Sequence, residues 1–202
     1  PTYYFAPLAT IASYRLLKTA RYLPLHDWEP IVVAPLWTPS QLSWTDWSTD
    51  IQLAEETCCR VVTVPFKARQ ELRCQTLSRC WSRLCMSTAH AYGTLPVAML
   101  EQCRNLCRSE RIDAVFASSY PQFVHWIAHR LHREFGIPWI ADHRDLADQM
   151  GLTAIGLINQ ALEWLRQRII VARDSQLTRS AAALTTVSEP LASRLRTRNR
   201  SP

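Results

Sequence analysis

Glycine is scarce in this sequence, which narrows the kinds of ligand that its loops can bind. Four glycines occur among 202 residues, whereas the usual share is about 7%. Neither G-x-G-x-x-G nor the phosphate-loop sequence G-x-x-x-x-G-K-[ST] is present. The segment after the aromatic residues 3–5 reads APLATIAS and has no glycine that would let the backbone approach a pyrophosphate. Nucleotide binding through a glycine-rich loop is therefore not expected.

Close cysteine pairs are also missing. The seven cysteines include no C-x-x-C sequence, the spacing that structural zinc sites commonly use. Cys103 and Cys107 lie one helical turn apart, which favours a shared core face instead. An odd set of cysteines without a disulfide pattern is typical of a reduced, cytoplasmic setting. The sequence accordingly predicts no metal site and no cofactor.

Long apolar runs do not occur either. No segment reaches the roughly 18 to 20 apolar residues of a membrane-spanning helix, and no signal peptide is visible. Hydrophobic residues make up 48% of the chain, which is enough for a sizeable core in one domain. Because the sequence starts at Pro1 and stops in RTRNRSP, we expect a fragment of a longer protein.

Charge is unevenly distributed along the chain. The formal net charge is +6; residues 36–56 carry acids without a base, and residues 191–202 carry four arginines without an acid. A basic surplus suits nucleic acid, an anionic membrane or a phosphorylated ligand. A solvated tail explains the final residues better. Arg15, Lys18 and Arg21 suit either anionic lipid headgroups or a plain solvated helix face.

The apolar pattern alternates between strand-like and helical spacing. Near-continuous apolar strands predict an α/β fold, with a parallel sheet covered by helices on both faces. We expect residues 35–56 to form a long loop or short helical pieces, and the long helix to bury Ile158, Ala161, Leu162, Leu165, Ile169 and Ala172. The predicted strands are 3–5, 29–34, 60–66, 113–119, 138–141 and 183–188, and the predicted helices are 10–23, 67–92, 96–110, 121–135, 157–180 and one from 189.

Polar residues follow the predicted strands where each one ends. Because ligands of an open parallel sheet bind beyond the carboxyl ends of its strands, these residues are candidate site residues. Their hydroxyls, carboxylates and imidazole suit hydrogen bonding to a polyol. The candidates lie in residues 7–10, at Ser118, Ser119 and Tyr120, at Asp142, His143, Arg144 and Asp145, and at Ser188 and Glu189.

Three sequence features have both a functional and a structural interpretation. His125, His129 and His132 have the spacing of metal ligands on a helix, but neighbouring arginines favour a partly solvated polar face. Trp37, Trp44 and Trp47 could form a sugar or lipid platform, although aromatic residues more often fix a loop to the protein body. The acidic and basic residues of 142–145 fit a binding site and a turn equally well.

Three segments resemble the N-terminal domain of family-4-like retaining glycosyltransferases of the GT-B fold. The most specific is RIDAVFASSYPQFVHWIAHRLHREFGIPWIADHRDLAD, which is similar to the strand, Ser-Pro-type loop, helix and PWvaDfRD segment of many members. RSAAALTTVSEPLASRL resembles their vvtvSe strand and helix, and YYFAPLATIASYRLLKTARYLPLHDWEPIVV resembles their opening. Together these segments extend over almost the whole chain.

The resemblance implies a fold and an activity. It implies that residues 1–202 form a single Rossmann-like domain, the acceptor-side half of a GT-B enzyme. Such an enzyme transfers sugar from a nucleotide-sugar donor to a glycan or lipid-linked acceptor in polysaccharide biosynthesis. The donor would bind mainly to a C-terminal domain, without which we expect no activity. Location in the cytoplasm at the inner face of the membrane, with peripheral membrane contact and no nucleic acid, is expected.

The resemblance also assigns roles to the candidate residues. Asp142 and His143 stand where the family places a polar residue near the transferred sugar, so they are the expected catalytic residues. The expected substrate-binding residues match the family's small-residue loop and its RD and SE sequences. They are Ser118, Ser119, Tyr120, Arg144, Asp145, Ser188 and Glu189.

Two other functions stay open. A sugar-nucleotide epimerase shares the two-domain architecture and would use carboxylates and histidine as acid and base. A non-catalytic module could instead use the basic surplus to bind anionic lipid or nucleic acid. Salt-sensitive binding without a response to nucleotide-sugars would favour the module.

Overall fold

The fold is described from a computed structural model, for residues 1–6, 8, 10–37, 59–65, 92–146 and 157–199. These ranges contain five strands and five helices, and a 3₁₀ turn, Leu23–His26, follows the first helix. The helices are α1 Ile11–Tyr22, α2 Leu95–Ser109, α3 Phe123–Phe135, α4 Leu157–Thr178 and α5 Glu189–Asn199. The strands are β1 Ile31–Pro35, β2 Arg60–Val64, β3 Val115–Ser119, β4 Trp139–His143 and β5 Ala183–Thr186.

All strand pairs in the described residues are parallel, so the predicted α/β class is confirmed. One sheet pairs β1 with β2, and the other has the order β3-β4-β5. Each predicted strand from β1 to β5 is found within one or two residues of its predicted start. Both sheets are small, with two and three strands.

The first predicted strand, residues 3–5, was wrong as a strand. This segment has no strand conformation, although the Thr2 amide donates to the Val33 carbonyl at 2.9 Å. Phe5 is buried against α1. The aromatic residues 3–5 therefore indicate burial of this segment and not pairing in a strand. The predicted loop 35–56 and helix 67–92 lie, apart from residues 35–37 and 92, outside the described residues.

The helix boundaries follow from local sequence signals. The side chain of Thr10 accepts a hydrogen bond from the Ser13 amide, which caps the start of α1. Pro24 ends the α-helical hydrogen bonding and lies in the 3₁₀ turn. Gly136, at φ 71°, ends α3 in the left-handed region, where a side chain would be strained. The predicted stops at Pro24 and Gly136 are therefore confirmed.

One hydrophobic core joins the two sheets. Val33 and Val64 from the smaller sheet lie in the same cluster as Ala117 and Trp139 from the larger one. The apolar face of α3 packs on this cluster, and all of its residues are buried except Phe135, which is partly buried. They are Phe123, Val124, Ile127, Ala128, Leu131 and Phe135. Packing of this kind holds the carboxyl ends of the strands in fixed positions.

The predicted buried stripe of α4 was wrong for three of its six residues, Ile169 is half-buried, and the side chains of Ile158 and Leu162 lie outside the described residues. Ala161, Leu165 and Ala172 are exposed, whereas Thr178 is buried and Asp174 is largely covered. The helix is rotated so that a carboxylate faces α3 and β4. A count of apolar periodicity cannot find this face because the residue that fixes it is charged.

No helix within the described ranges is sufficiently long and apolar to cross a membrane.

Candidate functional site

The carboxyl edge of the larger sheet places polar residues in rows. The register pairs Ser118 with Asp142 and Asp142 with Thr185, and the next row pairs Ser119 with His143. Because the three strands pair in parallel without a register shift, their side chains lie side by side at the same height along this edge of the sheet. The sequence predicted this convergence of the segments at 118–119 and 142–143.

Asp142 lies at the centre of the first row and is fully buried. Its Oδ1 accepts hydrogen bonds from Arg15 Nη2 at 2.7 Å and from Thr185 Oγ1 at 2.8 Å. Its Oδ2 accepts a third from Ser118 Oγ at 2.7 Å. The carboxylate thus joins α1, β3 and β5 to the strand that carries it. Charge-assisted bonds of this kind are the stronger class of protein hydrogen bond.

His143 belongs to a second buried group beneath the edge. Its Nδ1 lies 3.5 Å from Asp174 Oδ2, while His125 Nδ1 forms a 2.9 Å hydrogen bond with Asp174 Oδ1. The two imidazole rings meet edge to face at 4.7 Å between centroids. One carboxylate on α4 therefore contacts a histidine from α3 and a histidine from β4.

Burial and charge set the protonation of this group. Burial is the main cause that lowers the pKa of His143 to about 4; Asp174 opposes this effect and His125 adds to it. Burial acts to raise the pKa of Asp174, but the hydrogen bond from His125 and the electrostatic effects of the two histidines and Arg198 hold it below its usual value. Near neutral pH the group therefore contains a neutral His143 beside an ionised Asp174.

Arg144 and Asp145 form the outer layer of the same loop. Arg144 lies over the Tyr4 ring at 5.1 Å from the centroid and donates to the Tyr120 carbonyl at 3.4 Å. Its Nε donates to Asp145 Oδ2 at 3.2 Å. The Asp145 side chain is 65% exposed, so this carboxylate, unlike that of Asp142, is available to a ligand.

Aromatic residues extend the surface next to Arg144. Tyr3 packs edge-on against Tyr4, Trp37 and Tyr92, at 4.9 to 5.1 Å between centroids. Burial raises the pKa of Tyr3 to about 12, and burial likewise raises the pKa of Tyr4. Their hydroxyls stay protonated at neutral pH. The contact of Trp37 with Tyr3 fits the prediction that it anchors a loop, while Trp44 and Trp47 lie outside the described residues.

The remaining predicted site residues occupy different depths. Ser118 and Ser119 are buried, Tyr120 is half-buried, and Ser188 and Glu189 are exposed. Glu189 pairs with Arg196 at 2.5 Å within α5. The assigned roles in catalysis and substrate binding stay predictions, because burial of Asp142 and His143 describes their environment rather than a reaction.

The histidines of α3 do not act together. His125 is buried, so the prediction of a partly solvated face was wrong for this residue. His129 Nδ1 lies 2.8 Å from Ser180 Oγ, and His132 Nδ1 lies 3.0 Å from the Ile137 carbonyl. Each ring therefore has a separate partner, and the contact of His125 with His143 comes from a different element.

Three residues of the site were not predicted as such. Arg15, Thr185 and Asp174 reach it from α1, β5 and α4. The sequence contains only a weak signal for burial at two of these residues. Arg15 lies next to the buried Leu16, and one arginine separates Asp174 from the apolar run IIVA. Neither signal identifies a partner more than 40 positions away along the chain.

Sequence comparison does not assign the site. No known family model matches the chain, and no curated protein matches it significantly.

Loss of the Asp142 carboxylate should destabilise the fold. We expect Asp142→Ala to lower the free energy of unfolding by about 3 kcal/mol, because a buried cation contact and two hydroxyl donors lose their acceptor. Urea unfolding followed by tryptophan fluorescence measures this change. Asp145→Ala is the matched control, and we expect it to cost under about 1 kcal/mol because its carboxylate is exposed. Equal costs for the two variants would contradict the central role of Asp142.

Stability should fall in mild acid because His143 must become charged where it is buried. Its folded pKa of about 4 lies below the ordinary value of 6.5, so the unfolded chain binds more protons between these values. The stabilisation that comes from keeping His143 neutral is therefore complete above about pH 6.5 and is lost towards pH 4. Over this range the free energy of unfolding falls by about 3 kcal/mol.

The free energies of unfolding of the wild type and of His143→Gln, measured from pH 7.5 to 4.5 in EDTA, check this pH dependence. The variant should lose most of the decrease in stability. The pKa of His129 is also lowered, so this residue makes stability fall in the same direction of pH. The His129→Gln variant measures this smaller contribution to the pH dependence. An unchanged slope in His143→Gln would refute the assignment.

Proposed function

We propose that this chain is the acceptor-side domain of a retaining glycosyltransferase that resembles family 4, with a Rossmann-like fold as one half of a GT-B enzyme. The proposal rests on the matched segments of the sequence together with the arrangement of those segments in space. The enzyme would move a sugar from a nucleotide-sugar donor to a glycan or lipid-linked acceptor, at the cytoplasmic face of a membrane. A C-terminal domain would bind most of the donor.

The observation that carries the proposal is the shared position of the matched loops. Residues 118–120, 142–145 and 188–189 all lie at or just beyond the carboxyl ends of strands of one parallel sheet. The first two loops belong to one segment that resembles the family, and the third belongs to a second such segment. A binding site beyond this edge is the general expectation for open α/β sheets.

The outer layer of the edge has chemistry suited to a sugar hydroxyl. Asp145 supplies an exposed carboxylate acceptor, Arg144 a guanidinium donor, and Tyr4 an aromatic ring beside a hydroxyl. Retaining transfer of this type requires little from a protein base, since the leaving phosphate can take the acceptor proton. The domain would then contribute by positioning the acceptor.

Asp142 and His143 would support this layer from below. Both are buried, and the three hydrogen bonds to Asp142 hold the strand end from which residues 144 and 145 project. Their burial favours a positioning role, in which they set the direction of the loop. A direct contact with the transferred sugar would require either side chain to become accessible.

Substitution at the exposed carboxylate tests the proposal without disturbing the core. In the full-length protein we expect Asp145→Asn to lower kcat/KM for sugar transfer by about 10- to 100-fold, with unchanged unfolding, because an acceptor for the substrate is weakened. Asp113→Asn is the matched control: Asp113 is also exposed and lies before β3, at the opposite edge of the sheet. A radiolabelled nucleotide-sugar assay measures transfer.

Three results would contradict the proposal. The first is wild-type transfer in Asp145→Asn, and the second is transfer by residues 1–202 alone. The third is interconversion of the nucleotide-sugar without transfer, which would indicate the epimerase instead.

A membrane contact is supported by the exposed face of α1 and its 3₁₀ turn. Ile11 is 89% exposed and Leu25 is 74% exposed, and Tyr14, Tyr22 and Trp28 are also exposed. Ile11, Tyr14 and Tyr22 have helical spacing on α1, whereas Leu25 lies in the 3₁₀ turn and Trp28 follows that turn. Aromatic and aliphatic side chains of this kind insert at the boundary between lipid headgroups and acyl chains.

Charge on the same element indicates which lipid would be bound. Lys18 and Arg21 are exposed beside these residues on α1, while Asp27 and Glu29 follow the turn. The part of this surface with Lys18 and Arg21 therefore fits an anionic headgroup layer. The part with Asp27 and Glu29 would face away from that layer. We propose that this face rests on an anionic bilayer and brings the acceptor site close to a lipid-linked acceptor.

Vesicle sedimentation tests the membrane contact. We expect the full-length protein to bind phosphatidylglycerol vesicles, and Ile11→Ser with Leu25→Ser to reduce the bound fraction at least fivefold, because two large apolar side chains no longer insert. Val97→Ser, which removes an exposed apolar residue from α2, should leave binding unchanged. Equal binding by all three proteins would exclude this face as the contact.

A further inference from the structure

The buried histidine pair and Asp174 form the densest group of potential metal ligands in the described residues. His125, His143 and Asp174 each offer one ligand atom, and these atoms lie within 4.8 Å of one another. The side chains are 0%, 2% and 13% exposed. They come from α3, β4 and α4, so the group joins three elements that are distant in sequence.

We propose that His125, His143 and Asp174 bind a divalent transition-metal cation of the zinc class. Two imidazole nitrogens and one carboxylate oxygen are a common protein ligand set for such ions. Calcium and magnesium prefer oxygen ligands, so this set disfavours them. The site lies beneath the proposed acceptor site and shares His143 with the layer that supports it.

Hydrogen bonding within the described residues leaves the group incomplete. Nε2 of His125 and Nε2 of His143 are buried, and neither has a hydrogen-bond partner there. A buried polar atom without a partner is uncommon in native proteins. Within the described residues each ring therefore meets a polar partner only through Nδ1, which faces Asp174, and an ion between these three groups would be held by the two Nδ1 atoms and the carboxylate.

The contacts of Asp174 support the same inference. The short bond from His125 and the longer 3.5 Å approach of His143 show a carboxylate shared unequally by two rings.

The surroundings limit which ions can bind and what they do. Arg198 lies close enough to act on both His143 and Asp174, and its positive charge opposes a second cation. Binding would therefore depend on nitrogen coordination, which zinc-class ions favour. Because the three ligands are covered, the ion would stabilise the packing of α3, β4 and α4 rather than contact a substrate.

Thermal unfolding of the full-length protein tests the site. After removal of metal with EDTA, we expect added Zn²⁺ at a hundredfold excess over its dissociation constant to raise the melting temperature by roughly 5 to 10 °C. Co²⁺ should give visible d–d absorption of a low-symmetry site without a thiolate-to-metal charge-transfer band. That band would instead indicate binding by the cysteines.

Matched variants locate the ion. His143→Gln and Asp174→Asn should abolish both the Zn²⁺ shift and the Co²⁺ spectrum. His129→Gln should retain them, because His129 lies on the same helix but contacts Ser180. The proposal is overturned if the wild type shows no shift, if the Co²⁺ spectrum is that of thiolates, or if the two ligand variants respond like His129→Gln. Should a ligand variant fail to fold, the wild-type Co²⁺ spectrum decides between imidazole and thiolate ligands.

Discussion

The buried carboxylate of Asp142 is the interaction on which the organisation of this protein depends. It accepts hydrogen bonds from α1, β3 and β5 while it is itself part of β4. An ionised group without water is costly unless several donors surround it. The three donors satisfy that requirement only if the helix and the strands take one particular arrangement. The carboxylate therefore couples the position of α1 to the edge of the sheet.

The loop 142–145 consequently has two layers with different physical roles. The inner layer, Asp142 and His143, is covered and interacts with the protein, whereas Asp145 in the outer layer is exposed to solvent. Asp142 makes contacts towards α1, and His143 makes contacts towards α3 and α4. A rigid inner layer limits the conformations of the outer one, and this is how a structure can hold a ligand site in place. The transfer and metal proposals concern different layers of this loop.

Much of the fold was predictable because the local signals agreed with the tertiary structure. The strands from β1 to β5, the stop of α1 at Pro24 and the left-handed Gly136 were all found as expected. The prediction failed where a polar residue decided the packing. The face of α4 is set by Asp174 instead of Ala172, and His125 is buried although two arginines follow it on α3. Hydrophobic periodicity uses only the spacing of apolar residues, so it cannot predict a buried polar group whose hydrogen-bond partner is distant in the sequence.

The amino-acid sequence by itself determined the α/β class, the parallel order of elements and the gathering of polar residues at strand ends. These properties follow from patterns of a few residues, since apolar runs, prolines and glycines act over one or two turns of chain. Tertiary structure alone decided which of those polar residues are covered and which are accessible. Arg15 and Asp142 are 127 positions apart, and His125 and Asp174 are 49 apart. Such pairs are set by how whole elements pack, because burial depends on every neighbour in space and not on neighbours in sequence.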